Sequence, residues 1–421
     1  MTVLHVVGAG VAGLAAALRA AEAGVAVRLW EASPHPGGRC RTVETADGFT
    51  HDNGTHALVG ANPRALAFLA RIGARADWIE PEPPGLPVYD ARDGSLRRVG
   101  LSPMSWLAPS RRPAGLGLAD LPRLARLAMP LSDRPIGPLF AGRPLLDSFI
   151  EPLTVAVLNT PVATASALRL GRALRRVVRP GGARLFVARH GLGPDLVEPA
   201  IATLAGKGVR VAYGARLRGL RVDGGRIVGL DFAGGGVAVG AGESVVLALP
   251  PWEVARLLPS LPVPRAHEPI VNVHFPVAGP AEPRFVGLIG TLAQWVLARR
   301  DHVSVTISAA GEAAASNPEG LDQRIWSEIA PALTAAGIRV ERQGGARVVK
   351  EKRATIRQDA GLVVTAPRLV LPNLALAGDW LGRLPATIES AVSSGEEAVA
   401  ALGIAQRAGR PVPALAAREA S

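Results

Sequence analysis

The feature that most constrains this chain is a Gly-x-Gly-x-x-Gly motif at residues 8–13, which lies between two predicted elements. The apolar residues 4–7 before it predict a buried strand, and the Ala-rich residues 14–23 after it predict a helix. Residues 25–30 predict a second strand that ends at Glu31. Such a βαβ unit, with an acidic residue at its end, is typical of dinucleotide binding. Its glycines let the backbone approach a pyrophosphate at the helix N-terminus, and Glu31 can bind the adenosine ribose.

Two further segments favour FAD over a nicotinamide cofactor. Residues 37–41 (GGRCR) follow Glu31 closely and offer flexible backbone and a guanidinium for the pyrophosphate. Near the other end of the chain, Asp379 lies in an Ala-Gly-Asp-Trp turn, where it can bind ribityl or phosphate oxygens. The N–H groups of residues 386–388 begin the next predicted helix and would face the O2 edge of a flavin. An enzyme that binds only NAD does not need this distal element, so the sequence predicts FAD.

The order of predicted elements indicates an α/β fold with a discontinuous Rossmann-type FAD-binding domain and an inserted α+β substrate domain. Nucleotide-type patterns occur at both ends of the chain. Between them lie predicted strands with glycine turns and segments of a different amino-acid composition. The expected FAD-binding domain comprises residues 1–80, 190–265 and 345–405. The expected substrate-binding and membrane-facing domain comprises residues 81–189 and 266–344. Residues 406–421 are expected to be a flexible tail.

Residues 81–145 are rich in Pro and Arg, with apolar side chains between them. One interpretation is a loop-rich insertion that packs on the body of the protein. The other is a lipid-facing lid or interfacial helix, because Arg111, Arg112, Arg123 and Arg126 flank the apolar residues. Both interpretations remain open from the sequence.

The charge pattern argues against nucleic-acid binding. The formal net charge is +12, and only three of the 47 basic residues are Lys, a bias typical of a GC-rich genome. The Arg residues are spread along the chain and do not form basic clusters with aromatic platforms. Attraction to an anionic membrane surface is the more plausible consequence of the charge.

Other patterns exclude several classes of site. A single cysteine, Cys40, excludes an internal disulfide framework and a multi-cysteine metal site. The histidines show no ligand spacing, so no metal is expected. No stretch reaches the roughly 18 apolar residues of a membrane-spanning helix, and no nucleophile-elbow or Walker motif is present.

The chain resembles the flavin amine oxidase/phytoene desaturase superfamily and, within it, the hydroxysqualene dehydroxylases of hopanoid biosynthesis, also described as squalene-associated FAD-dependent desaturases. The matching segments are GAGVAGLAAALRAAEAG (8–24), GGRCRT (37–42), HDNGTHALVGANPRALAFLARIGA (51–74), VLNTPVATASA (157–167), GLIGTLAQWVLAR (287–299), VVKEKRATI (348–356) and NLALAGDWLGRLPATIESAVSSGEEA (373–398). Two positions depart from the family pattern: Thr55 stands where Gln is usual, and Leu381-Gly-Arg383 replaces a Thr-containing turn.

The resemblance implies FAD-dependent reductive removal of the hydroxyl of hydroxysqualene to give squalene, with the flavin N5 delivering hydride to an allylic centre. It also implies an isoprenoid substrate, an upstream enzyme that forms hydroxysqualene, and a cytoplasmic protein in peripheral contact with the inner membrane. The chemistry needs one proton donor near the flavin and a dry apolar tunnel.

The expected catalytic residues are His56, Asp52, Asn159 and Glu389. Each has a structural alternative: Asp52 is a good turn residue, His56 can bond to backbone, and Glu389 can serve as a helix-dipole partner. The residues expected to contact FAD are Gly8, Gly10, Val11, Ala12, Gly13, Glu31, Ala32, Gly38, Arg39, Thr55, His56, Leu217, Gly378, Asp379, Ala386, Thr387 and Ile388.

Three competing functions follow from the same pattern. A carotenoid or phytoene desaturase would act oxidatively on an isoprenoid. A flavin amine oxidase usually needs an aromatic cage, and neither of the two tyrosines, Tyr89 and Tyr213, lies in a flavin motif. A non-catalytic isoprenoid-binding protein like the GDP-dissociation inhibitors would have lost the flavin motifs, which are intact here.

Overall fold

The computed structural model describes residues 3–315 and 320–404, so the expected tail at 406–421 lies outside the described residues. The helices are α1 (Val11–Glu22), α2 (Pro63–Arg71), α3 (Leu121–Ala128), α4 (Glu151–Leu158), α5 (Ala167–Val177), α6 (Glu198–Gly206), α7 (Pro251–Leu257), α8 (Gly311–Ala315), α9 (Leu321–Ala335) and α10 (Ile388–Ala401).

The first ten strands are β1 (Val3–Val7), β2 (Ala26–Trp30), β3 (Thr42–Glu44), β4 (Thr50–Asp52), β5 (Ala57–Val59), β6 (Trp78–Ile79), β7 (Leu86–Asp90), β8 (Ser95–Val99), β9 (Leu185–Ala188) and β10 (Val211–Ala212). The others are β11 (Leu217–Asp223), β12 (Arg226–Phe232), β13 (Gly235–Ala238), β14 (Ser244–Leu247), β15 (His267–Ala278), β16 (Arg284–Ile289), β17 (Trp295–Ala298), β18 (His302–Ile307), β19 (Glu341–Arg342), β20 (Arg347–Ile356), β21 (Leu369–Leu371) and β22 (Leu374–Leu376).

A six-stranded sheet of order β10-β2-β1-β14-β22-β21 forms the first layer. Its strands β10, β2, β1, β14 and β22 are parallel, and β21 closes the edge antiparallel to β22. The buried side chains of α1, α2 and α10, including Leu14, Phe68 and Val392, pack into one apolar core on this sheet. The predicted βαβ unit and the Rossmann-type layer are confirmed.

An eight-stranded sheet forms the second layer, with the order β19-β15-β18-β17-β16-β7-β8 and β20 paired to β15. Helix α9 covers it, and Val273, Val305 and Ile325 lie in the shared core. The inserted α+β domain is therefore present.

One predicted boundary differs from the strand pairing. The sequence placed residues 345–405 in the FAD-binding domain, whereas β20 pairs antiparallel with β15 from His267↔Ile356 to His274↔Arg347. Backbone hydrogen bonds along ten residues keep β20 in the second layer. Strand β9 likewise pairs with β5 and β6 and so joins the two predicted domains.

The insertion after β8 forms a small helical unit. Helices α3, α4 and α5 enclose an apolar cluster that includes Leu127, Phe140, Leu158 and Leu170, all fully buried. Part of residues 81–145 therefore packs on the body of the protein, whereas other apolar side chains of this range, such as Met104 and Leu118, are exposed. Within the described ranges, no helix combines the length and apolar character needed to cross a bilayer.

Candidate FAD-binding and active site

The glycine turn before α1 is required by close backbone contacts at two positions. Gly8 has φ +103°, and a Cβ there would lie 2.4 Å from the Ala248 carbonyl oxygen. A Cβ on Gly13 would lie 1.8 Å from the Gly8 carbonyl oxygen. Gly10 differs, because a Cβ there would have no protein atom within 4 Å.

The open space at Gly10 lies at the N-terminus of α1, where the first N–H groups of a helix have no intrahelical partner. Gly10 is the N-cap residue, without a side-chain cap, and Val11 and Ala12 open the first turn. Free donors beside an open space suit a pyrophosphate. The residues present therefore fit the phosphate part of FAD.

The Glu31 carboxylate fixes the geometry of the same turn. Its Oε2 accepts a hydrogen bond from Ala9 N at 2.7 Å, and its Oε1 accepts one from Ser33 N at 2.8 Å. An ionised carboxylate has about four acceptor sites, so each oxygen keeps capacity for a ribose hydroxyl. Ala32 lies exposed next to it.

Arg39 connects three distant segments. Its Nη2 donates to Asp379 Oδ1 at 2.6 Å, and its Nη1 donates to the Ala354 carbonyl oxygen in β20 at 2.6 Å. Gly38 starts the short helical turn that carries Arg39, and Gly378 N donates to Ser394 Oγ in α10. The two glycine-containing motifs that the sequence assigned to FAD are thus adjacent in space.

The N-terminus of α10 offers fewer free donors than expected. Ala386 N donates to Gln358 Oε1 at 3.1 Å, so this N–H is occupied. Thr387 is the N-cap and Ile388 the first helical residue, which have no partner within the helix. Two of the three expected N–H groups therefore remain available to a ligand.

The loop after β4 carries His56, one of the expected catalytic residues. His56 Nδ1 donates to the Gly54 carbonyl oxygen at 3.1 Å, and Nε2 has no partner in residues 3–315 and 320–404. Burial lowers the pKa of His56 and so favours the neutral ring. Thr55 Oγ1 is buried and also without a partner among the described residues, which fits a polar cofactor atom at this loop.

Asp52 is held in place by both layers. Its Oδ1 accepts from Thr42 Oγ1 and Leu192 N, each at 2.8 Å. Its Oδ2 lies 3.5 Å from Arg299 Nη2 in the second layer, and both side chains are 97% buried. These contacts favour a structural role for Asp52, which differs from the simple turn role considered above.

Glu389 is occupied at the start of another helix. Its Oε2 accepts from Ala65 N in the first turn of α2 at 2.9 Å, and its Oε1 lies 3.3 Å from Arg176 Nη1. Burial raises the pKa of Glu389. The side chain lies in the first turn of α10 and also accepts from the first turn of α2, and both positions are typical of a helix-dipole partner.

Asn159 and Leu217 also have structural partners. Asn159 adopts φ +46°, its Nδ2 donates to the Glu268 carbonyl and to Thr355 Oγ1, and its Oδ1 accepts from Ala309 N. Leu217 lies in an apolar core, and its carbonyl oxygen accepts from Arg256 Nη2. Within the described residues, Asp52 Oδ2 also lacks a hydrogen bond, but it lies at ion-pair distance from Arg299. His56 Nε2 has neither kind of partner there.

Sequence reasoning missed several buried polar side chains next to these motifs. Asn272 Nδ2 donates to the Asn53 carbonyl oxygen at 3.4 Å, and Gln358 contacts Ala386. Arg169, which is 4% exposed, contacts the segment before α10. No motif spacing marks these residues, and the one available signal is a polar residue within an otherwise apolar segment.

One group of side chains in the described ranges has the spacing of metal ligands. Atoms of Asp77, His190 and Asp195 lie within 4.8 Å of one another. His190 Nδ1 and N both bond to the Asp195 carboxylate, which explains the proximity without an ion.

Comparison with known proteins identifies relatives along nearly the whole chain. The family described as flavin containing amine oxidoreductase matches residues 11–403. A hydroxysqualene dehydroxylase of Rhodopseudomonas palustris is 36% identical over 408 residues, 94% of this chain and 97% of that protein. One of Zymomonas mobilis is 35% identical over 413 residues, 94% of this chain and 98% of that protein.

Solved structures agree on the fold. Putrescine oxidase, in its wild-type form bound to putrescine, has a TM-score of 0.66 at 17% identity and covers 95% of this chain and 98% of its own. Cyclohexylamine oxidase from Brevibacterium oxydans has a TM-score of 0.66 at 15% identity. The match covers 97% of this chain and 100% of the cyclohexylamine oxidase chain. This chain is an FAD-dependent oxidoreductase that belongs to the flavin containing amine oxidoreductase family and, within it, to the hydroxysqualene dehydroxylases.

Proposed function

We propose that this protein removes the hydroxyl of hydroxysqualene reductively and releases squalene. The observation that carries the proposal is the 33–36% identity, along 94% of the chain, to three relatives named hydroxysqualene dehydroxylase. The substrate is a water-insoluble isoprenoid alcohol, and an upstream enzyme must form it.

The proposed reaction needs a reductant and one proton. Reduced FAD, when bound, supplies the hydride that replaces the hydroxyl on the allylic carbon. The C–O bond breaks as the oxygen takes a proton and leaves as water. We assign this proton to His56: with Nδ1–H bonded to Gly54 O, a protonated ring holds the transferable proton at Nε2.

The surroundings of His56 suit this role. Burial is the largest cause of its lowered pKa, and Arg39 acts in the same direction. A lowered pKa makes the protonated ring a stronger acid and returns it to the neutral form after transfer. Leu192 N donates to the Asp52 carboxylate, and Asn272 Nδ2 donates to the carbonyl oxygen of the next residue, Asn53. Both contacts hold the start of the loop segment that leads to His56.

Anaerobic turnover tests the function directly. The FAD-loaded protein is reduced chemically, mixed with hydroxysqualene in detergent, and the lipids are analysed by mass spectrometry. We expect squalene to form in step with flavin reoxidation. Desaturated, coloured products from phytoene with oxidised FAD, and no squalene, would support the carotenoid desaturase alternative instead.

A pH series tests the role of His56. The rate of flavin reoxidation by hydroxysqualene should rise as the pH falls below 6.5, because more His56 is protonated, and level off below its lowered pKa. His56→Gln should lower the rate by roughly 10²–10⁴ and remove this pH dependence. The control is His190→Gln, at an exposed position away from the flavin motifs. A His56→Gln enzyme with normal FAD content and an unchanged pH profile would falsify the assignment.

The finer proposal on location is a cytoplasmic protein in reversible contact with an anionic inner membrane. Residues 103–131 expose six large apolar side chains, which we call the apolar surface: Met104, Leu107, Leu118, Leu121, Met129 and Leu131. Arg123 and Arg126 lie on α3 among them. Basic residues next to exposed apolar side chains complement an anionic bilayer that holds the substrate.

A further inference from the structure

Helix α5 directs three arginines towards the segment that leads into α10. Arg169, Arg172 and Arg176 are spaced i, i+3 and i+7, which places them on one face of a helix. We call them the arginine row. Their partners all lie between residues 382 and 389, next to the α10 N-terminus described above.

Each arginine of the row binds a different point of this segment. Arg169 donates from Nη1 to the Leu384 carbonyl at 2.9 Å and from Nη2 to the Gly382 carbonyl at 3.3 Å. Arg172 Nη1 donates to the carbonyl oxygen of Arg383, the residue between Gly382 and Leu384, at 3.1 Å. The segment, whose sequence departs from the family pattern, is therefore held through its backbone.

Arg169 is unusual in its charge environment. Its side chain is buried, and among residues 3–315 and 320–404 no carboxylate lies within ion-pair distance of it. The nearest acidic influence, Asp133, is already bonded to Ser166 Oγ, Leu168 N and Gly361 N. An arginine remains protonated in proteins, so a buried positive charge persists here, and burying it without a counter-ion is costly.

Gln358 holds the same segment from a second side. Its Oε1 accepts from Ala386 N at 3.1 Å, and its Nε2 donates to the Leu158 carbonyl at 2.7 Å. Leu158 ends α4, and Gln358 N also donates to Thr160 Oγ1. The second layer and its helical unit thus determine where the first turn of α10 lies.

We propose that Arg169 and Gln358 are positioning residues that place the Thr387 and Ile388 N–H groups at the flavin and, through the charge of Arg169, raise the reduction potential of bound FAD. A fixed positive charge favours the extra negative charge of a reduced flavin. The inference rests on the proposed flavin contact of residues 387–388 and is independent of which isoprenoid the enzyme reduces.

The test is the midpoint potential of bound FAD, measured anaerobically against a reference dye without substrate. Arg169→Met should shift it to more negative values, so that at the wild-type midpoint the ratio of reduced to oxidised FAD falls about tenfold, or about 30 mV. Arg169→Lys keeps the charge and should recover most of the shift. Arg175→Met is the matched control, because this exposed arginine of α5 donates to the Ala128 carbonyl on the side of α3.

A second variant covers the case in which Arg169→Met does not fold or loses FAD. Gln358→Glu keeps an acceptor for Ala386 N and adds a negative charge, so it should also lower the potential. Wild-type potentials in every folded variant of Arg169 and Gln358 would overturn the inference. Absence of squalene formation would bear only on the proposed function, since the potential is measured without substrate.

Discussion

Three buried histidines meet at the junction of the two layers. The His51 and His274 rings stack with centroids 4.4 Å apart, and His302 lies 6.3 Å from His274. Burial lowers the pKa of His51, and burial together with the neighbouring His51 holds the pKa of His274 well below its usual range. His274 Nδ1 bonds to Ser304 Oγ, while its Nε2 has no partner in the described part of the chain. Burial therefore favours the neutral forms of His51 and His274 in the folded protein.

This cluster makes stability depend on pH. Unfolded histidines bind protons near pH 6.5, whereas folded His51 and His274 do so only at lower pH. The unfolded state therefore holds more protons between these values. The free energy of unfolding should be greatest above pH 6.5 and decrease as the pH falls below it. His274→Phe, which keeps a stacked ring but cannot titrate, should weaken this decrease in a melting-temperature series from pH 8 to 5. An unchanged slope in the His274 variant would contradict the assignment.

At the scale of elements, the turn between β1 and α1 contains glycine residues for two different reasons. Gly13 is glycine because the helix packs on the Gly8 carbonyl, whereas a Cβ at Gly10 would have no protein atom within 4 Å. The first reason concerns folding. The second concerns a ligand, since Gly10 has φ −75° and ψ 175°, which any residue adopts.

Alanine substitutions should separate the two reasons. Gly13→Ala should destabilise the protein by at least about 2 kcal/mol, because a methyl group at 1.8 Å forces the backbone apart. Gly10→Ala should change the stability of the FAD-free protein by less than about 1 kcal/mol, the cost of a poorer cap. It should nevertheless weaken FAD binding at least tenfold, because the methyl group enters the pyrophosphate space. Thermal unfolding measures the stability, and flavin fluorescence titration measures the FAD affinity. An unchanged FAD affinity in Gly10→Ala would argue against a phosphate next to Gly10.

At the scale of the whole molecule, the apolar surface lies outside both sheet layers. Leu118 is 86% exposed and Met104 is 72% exposed, whereas α3 beneath them is anchored by buried Leu127. The helical unit that carries this surface also supplies α5 and hence the arginine row. A membrane contact would therefore adjoin the part of the chain that holds the N-terminus of α10.

Flotation with vesicles tests the membrane contact. The protein should float with vesicles that contain anionic lipid at low salt, and less so at high salt, because each basic residue near the surface contributes about 1 kcal/mol. The double variant Leu118→Asp, Leu131→Asp should float much less while keeping its melting temperature and FAD content. Val363→Asp, at a position 75% exposed in another part of the chain, is the matched control. No flotation of the wild-type protein at either salt concentration would refute the contact.

The sequence by itself determined the parts of this protein that depend on local pattern. The glycine motif, Glu31 and the turn at Asp379 each lie within one continuous segment, so their spacing predicted the Rossmann-type layer and FAD. The tertiary structure alone decided which polar residues are free. Glu389 is occupied by Ala65 N, 324 positions away, and Asp52 by Leu192 N, 140 positions away. Strand β20 joined the second layer for the same reason: hydrogen bonds between distant segments form only when the chain has folded, and no local pattern encodes them.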